Sequence, residues 1–186
     1  MKKIVIVLAI LFSTTVAFAQ KSNSENKELT KFEQISSQTG RIVKFQDVKT
    51  PNISLSFGGF LRASIRLVMG DKDSFFYRIE KPETSSSISR IAMIEYSDLV
   101  EINKALVTLS ASVDSDLQAN PDYLENKFRT EDGLEVGYYI SNGKANWFIK
   151  LERYSNSTVF PKNQDEIINS FSEAQTKIEE LKSKRD

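Results

Sequence analysis

The sequence predicts an α+β fold of antiparallel sheets with packed helices. Three observations carry that expectation. Between residues 41 and 96 apolar and polar residues alternate with the period of half-buried strands. From 97 to 114 the apolar positions recur every three or four residues, the period of a helix facing a core. The same succession, alternating stretches and then one helical stretch, occurs again between 123 and 186.

The first segment obeys a different logic. Lys2 and Lys3 precede an unbroken apolar run, Ile4 to Phe12. Smaller residues follow and end in Ala17-Phe18-Ala19 before Gln20. That order is the layout of a secretory signal peptide over residues 1–19, cut between Ala19 and Gln20. The run falls short of the roughly 20 residues that cross a bilayer. An uncleaved anchor would have to use the longer window Ile4–Ala19. Cleavage leaves no stable membrane anchor, and the short basic start points to a bacterial periplasmic or secreted protein. The sequons at Asn52 and Asn156 then read as chance matches.

Residues 20–40 form a polar tail and a short helix. "QKSNSENKE" (20–28) lacks apolar content, whereas "ELTKFEQISSQTG" (28–40) sets Leu29, Phe32 and Ile35 or Ser36 on one helical face, with Gly40 as a stop. The first sheet-plus-helix unit spans 41–122. "RIVKFQDV" (41–48) is β-branched and aromatic, and Pro51 ends it. "NISLSF" (52–57) puts Ile53, Leu55 and Phe57 on one side, and Gly58-Gly59 breaks it. "FLRASIRLV" (60–68) sets Leu61, Ala63, Ile65 and Leu67 against Arg62, Ser64 and Arg66, one buried face and one wet, basic face. "GDKD" turns into "SFFYRIE" (74–80), closed by Pro82, and "SISRIAMIEY" (87–96) is a further strand. "SDLVEINKALVTLSASVD" (97–114) is a helix with Leu99, Ile102, Leu106, Leu109 and Val113 inward and Ser97 or Asp98 as its cap.

The second unit spans 123–186. "YLENKFRT" (123–130), "LEVGYYIS" (134–141), "KANWFIKLERY" (144–154) and "STVFP" (157–161) read as strands. Asn142-Gly143 is the strongest hairpin signal, since both central residues of a type I′ turn need positive φ. The helix 163–186 carries Ile167 or Ile168, Phe171, Ala174, Ile178 and Leu181, with Asn163 or Asp165 as cap. In each neighbouring aromatic pair, Tyr138 or Tyr139 and Trp147 or Phe148, one ring is expected inward and the other outward.

The halves align loosely. "FYRIEKPE" (76–83) parallels "FIKLERYS" (148–155), and "YSDLVEINKAL" (96–106) parallels "NQDEIINSFSEA" (163–174). Two pseudo-repeated strands-then-helix units sharing one core account for this, because one sheet with one helix is marginal alone. Chance similarity within any α+β chain accounts for it as well. The element order resembles the ββββα units of the whirly and Pur-type single-stranded nucleic-acid-binding proteins, over 41–113 and 123–182. That resemblance implies the architecture, with single-stranded nucleic-acid binding as the family's activity. No binding residue carries over.

Composition narrows the chemistry. The chain has no histidine and no cysteine. It therefore lacks the commonest general base and metal ligand, every His-dependent triad, and any thiol or zinc–thiolate chemistry. Neither Asp71 with Asp73 nor Asp114 with Asp116 has the pattern of an EF-hand or an apolar setting for acid–base work. Ser24 with Lys27 lies in the polar tail. No cofactor or metal is expected. Lys and Arg balance Asp and Glu at 25 each, which argues against a strongly electrostatic nucleic-acid binder. The best candidate surface is Arg62, Arg66 and Arg78 with Phe76, on the wet faces of adjacent strands.

The expected function is that of an exported, soluble, non-enzymatic binding module of the bacterial envelope. Its partner would be an envelope protein, a glycan or a small ligand. The alternatives are a single-stranded nucleic-acid-binding protein and a hydrolase working through carboxylates alone.

Overall fold

The computed structural model describes residues 29–82, 89–153 and 158–185. The expected signal segment, with Ala17, Ala19 and Gln20, lies outside the described residues, as do 83–88 and Asn156. A short helix, α1 (Lys31–Ser36), precedes four strands, β1 (Lys44–Ser54), β2 (Phe60–Met69), β3 (Ser74–Lys81) and β4 (Arg90–Glu95). Helix α2 (Tyr96–Gln118) follows. Then come β5 (Leu124–Arg129), β6 (Glu135–Ser141), β7 (Lys144–Lys150), β8 (Thr158–Val159) and α3 (Gln164–Ser183). Both sheets are antiparallel meanders of four strands, in the orders β1-β2-β3-β4 and β5-β6-β7-β8. The fold is α+β. The stretch from 76 lies in the third strand of the first sheet and the stretch from 148 in the third strand of the second.

The helices tie the sheets together. Helix α3, last in the chain, packs on β1, β2 and β3 of the first sheet. Helix α2 reaches the second sheet through β5, β6 and β7 while touching β3 and β4. The two helices also pack on each other, and Asn103 Nδ2 donates to the Phe171 carbonyl at 3.1 Å and to Gln175 Oε1 at 2.8 Å. One continuous core results, from Ile53, Leu61 and Tyr77 through Leu106 and Phe171 to Tyr138 and Ile149. Phe171 meets Tyr77 edge-on, with centroids 5.3 Å apart, and the Tyr77 hydroxyl lies 2.5 Å from Ser170 Oγ.

Several expectations are revised. The two strands expected at 41–48 and 52–57 are one, because Pro51 does not end β1; the register slips between Thr50 and Ile53 instead. β1 is an edge strand, so a residue without an N–H costs no ladder bond there. Helix α2 runs to Gln118, past Asp114, and is capped by Glu95, whose carboxylate accepts from the Ser97 N–H at 2.7 Å. Helix α1 is shorter than expected and begins at a capping box of Thr30 and Glu33. Asn163 caps α3, and Asn142 and Gly143 take positive φ in the β6–β7 turn, both as the sequence indicates.

Candidate binding surfaces

Three surfaces remain after the core is filled. The first is the outer face of the first sheet, where the sequence places Arg62, Arg66, Phe76 and Arg78. The ladder brings them together: Arg62 opposes Glu80, Ser64 opposes Arg78, and Arg66 opposes Phe76. Phe76, however, is fully buried rather than wet. Helix α1 lies over it, with Phe32 edge-on at 5.3 Å and Phe45 beyond at 5.9 Å from Phe32. Each arginine already has a carboxylate. Arg66 holds Asp47 in a two-pronged pair at 2.8 and 2.7 Å. Arg78 meets Glu80 at 2.8 Å, and Arg62 reaches the same group at 3.9 Å.

The Arg66 guanidinium, by donating to it, holds the Asp47 carboxyl below the usual carboxylate range. A lowered folded-state pKa stabilises the protein fully above the ordinary carboxylate value, and the gain is lost as pH falls through the folded one. Asp47→Asn removes that dependence. Thermal midpoints of parent and variant should therefore differ at neutral pH, and the difference should shrink only as pH falls below the ordinary carboxylate value and through the lowered one. Convergence only at neutral pH would contradict the pairing.

The second surface is a groove of about 1120 Å³ between the units. The edge of β4 forms one wall, residues 130–134 and 151–153 the other, and α1 one end. Two carboxylates here, Asp98 and Asp132, are the nearest approach to an acidic pair in a cleft. Both serve α1: Asp98 accepts from Lys31 Nζ at 2.6 Å, and Asp132 accepts the Lys31 backbone N–H at 3.1 Å. Burial nevertheless pushes the Asp132 carboxyl up, against that hydrogen bond. Among the described residues no three Asp or Glu side chains gather as a metal site would require. Of the loop acids, Asp73 is bound by Arg185 at 2.6 Å, while Asp116 lies in α2 and accepts from the Tyr138 hydroxyl at 2.6 Å. Burial, with that bond, pushes the Tyr138 phenol up to about 12.

The third surface was not legible as a site. Gly58 and Gly59 both take positive φ, so the chain turns sharply after β1. That turn latches onto the second sheet: the Ser56 N–H donates to the Phe160 carbonyl at 2.9 Å, and the Lys162 N–H donates to Ser54 at 2.9 Å. Phe57, expected inward with Ile53 and Leu55, is thereby thrown out to 89% exposure. It meets Phe160 edge-on at 6.1 Å. Phe160 meets Tyr139 at 6.3 Å, and Tyr139 stacks on Tyr123 at 6.1 Å. Four rings thus form a row. Beside them opens a pocket of about 260 Å³ lined by Phe57, Tyr139, Trp147 and Phe160, with Asn146, Asn163, Ser56 and Lys162 as its polar groups. No carboxylate lines it.

The paired aromatics behave as expected at 138 and 139, where Tyr138 is buried and Tyr139 faces out. Trp147 points inward. Phe148 faces outward yet is buried, because it opposes Gly137, which has no side chain to hold the ring off the sheet. No protein-family model, curated protein or solved structure matches the chain.

Proposed function

We propose that the protein is an exported, non-enzymatic binding module of the bacterial envelope whose ligand is an oligosaccharide held on the Tyr123–Tyr139–Phe160–Phe57 row. The observation that carries this reading is the row itself, opening into a pocket whose polar groups are Asn146, Asn163 and Ser56, each also in an internal hydrogen bond, and Lys162. Aromatic faces supply apolar contact at low entropy cost, and a few polar groups fix orientation. A sugar ring offers both an apolar C–H face and hydroxyls that amides recognise. A polyphosphate backbone asks for unengaged cations, and the three arginines of the first sheet are engaged by carboxylates. The export half of the proposal rests on Lys2, Lys3 and the Ala17-Phe18-Ala19 pattern.

Trp147 is the only tryptophan; it borders the pocket with its ring packed on Tyr138 in the core behind, so its emission reports a change there through the packing. Titration with cello-, malto- and chito-oligosaccharides should shift that emission saturably for at least one series. Tyr139→Ala should weaken binding by about tenfold or more, the scale of one lost stacking contact of 1–3 kcal/mol. Single-stranded oligonucleotides at low salt are the contrasting probe. Salt-sensitive binding lost in Arg62→Ala, with no response to any sugar, would replace this proposal with a nucleic-acid role. Recovery of the protein from the periplasm with Gln20 as first residue tests export.

A further inference from the structure

We infer that the free edge of β4 is a docking slot for an extended segment of another protein, which adds to the first sheet as a fifth strand. The inference rests on the groove and is independent of the aromatic row. Ile91, Ala92, Met93 and Ile94 all line that groove. Successive strand residues point to opposite faces, so a cavity touched by four in succession runs along the edge of the strand, not over one face. Along that edge β4 pairs only with β3 among the described residues. Among the described residues, its outward backbone groups have no strand partner.

The edges of β1, β5 and β8 are defended and this one is not. An unpaired edge invites pairing, and proteins blunt it with lysines, proline, bulges, charges or shortness. β1 carries Lys44, Lys49, Pro51 and an irregular register. β5 alternates Glu125, Lys127 and Arg129 with its inward residues, and β8 is two residues long. The centre of β4 is Ile-Ala-Met-Ile, and Ile91 is 37% exposed. That apolar centre lies inside the groove.

The walls specify the guest. At about 3.3 Å per residue, a partner matching the six residues of β4 spans about 20 Å. Its side chains alternate. One set meets Leu134 and Leu151 on the core side, and the other meets Ile91, Met93 and Leu29 on the outer side. Backbone hydrogen bonds supply affinity and these alternate contacts supply selectivity. The lining carries five carboxylates, Glu33, Asp98, Glu131, Asp132 and Glu152, against three cations, Lys31, Arg66 and Arg153. Of the carboxylates, Glu131 is 79% exposed in its side chain and touches Lys31 only at 3.9 Å. The guest is therefore an apolar-alternating peptide with a lysine or arginine placed to meet Glu131.

The test begins with a phage-displayed random peptide library panned on the whole protein. The strongest peptide is then synthesised plain and in two forms that carry backbone N-methyl groups on alternate residues, one form for each register. Strand addition uses only every second peptide N–H against β4. One methylated form should bind like the plain peptide, and the other should lose about tenfold or more. Ile91→Lys, which puts a guarding lysine opposite Glu80 on an exposed position, should weaken the plain peptide similarly. Its thermal midpoint should stay within about 2 °C of the parent's, as for other exposed substitutions. The inference is overturned if panning enriches no peptide, if both methylated forms bind alike, or if Ile91→Lys folds and binds as the parent does.

Discussion

Residues 29–122 produced without 123–185 will not fold. The inner face of the first sheet carries Ile53, Leu61, Ile65 and Tyr77, each with no exposed surface. What covers β1, β2 and β3 is α3, which belongs to the second half of the chain. Burial of a large apolar side chain contributes about 1.5–3 kcal/mol, so uncovering four removes about 6–12 kcal/mol. That equals most of the 5–15 kcal/mol by which a domain is stable. The loss of the latch at residues 160–162 and of Glu166, which accepts the Ser54 N–H at 2.9 Å, adds to it. The fragment should show no cooperative thermal transition and a collapsed amide proton spectrum. Mixing it with residues 123–185 should restore both, because the helices then regain their sheets. A fragment that folds alone would show that the first sheet does not depend on α3.

The largest effect of a single substitution is expected at Gly137. This residue pairs with Lys127 in β5 and Phe148 in β7, at the centre of the second sheet. A methyl group there would run into the Asn126 carbonyl oxygen and stand 2.7 Å from Lys127 Cα, both parts of the neighbouring backbone. Backbone cannot swing aside as a long side chain can. The strand must separate from β5, which loosens the salt bridge from Lys127 to the buried Glu135 at 3.0 Å. Gly137→Ala should therefore cost about 3 kcal/mol, the upper part of the overpacking range. Gly143→Ala sits in the turn with open space around it and φ of +68°, so its cost is only the strain of that conformation, about 1 kcal/mol. Denaturant melts of the two variants check the ordering. Equal losses would contradict the close approach of β5.

Local chemistry made most of the elements legible. Period-two alternation located β2 and β3, Asn142-Gly143 located the tightest hairpin, and Asn163 located the start of α3. Errors arose where a neighbour distant in sequence decides. Pro51 looks like an end until β1 is known to be an edge. Phe76 looks solvent-facing on alternation alone, and only the docking of Phe32 from α1 buries it. The capping box at Thr30 and Glu33 was readable as T-x-x-E and would have started α1 correctly.

The candidate sites show the same division. The three arginines share one face of the first sheet, where Arg62 is exposed but Arg66 and Arg78 are largely covered, and their carboxylate partners are cross-strand or two residues along and depend on register. The aromatic row was illegible because Tyr123, Tyr139, Phe160 and Phe57 come from four separate stretches. The outward member of the Tyr138–Tyr139 pair and Gly58-Gly59 were the local signals. Gly58-Gly59 marks a turn, and the turn is what rotates Phe57 away from the core.

Amide chemical-shift mapping of the ¹⁵N-labelled protein, titrated with the oligosaccharide series that shifts Trp147 emission, tests the functional account most directly. The account predicts perturbations concentrated at Phe57, Tyr139, Asn146, Trp147 and Lys162, with the outer face of the first sheet unmoved. Perturbations centred on Arg62, Arg66 and Arg78 instead, or none at any of these positions, would contradict it.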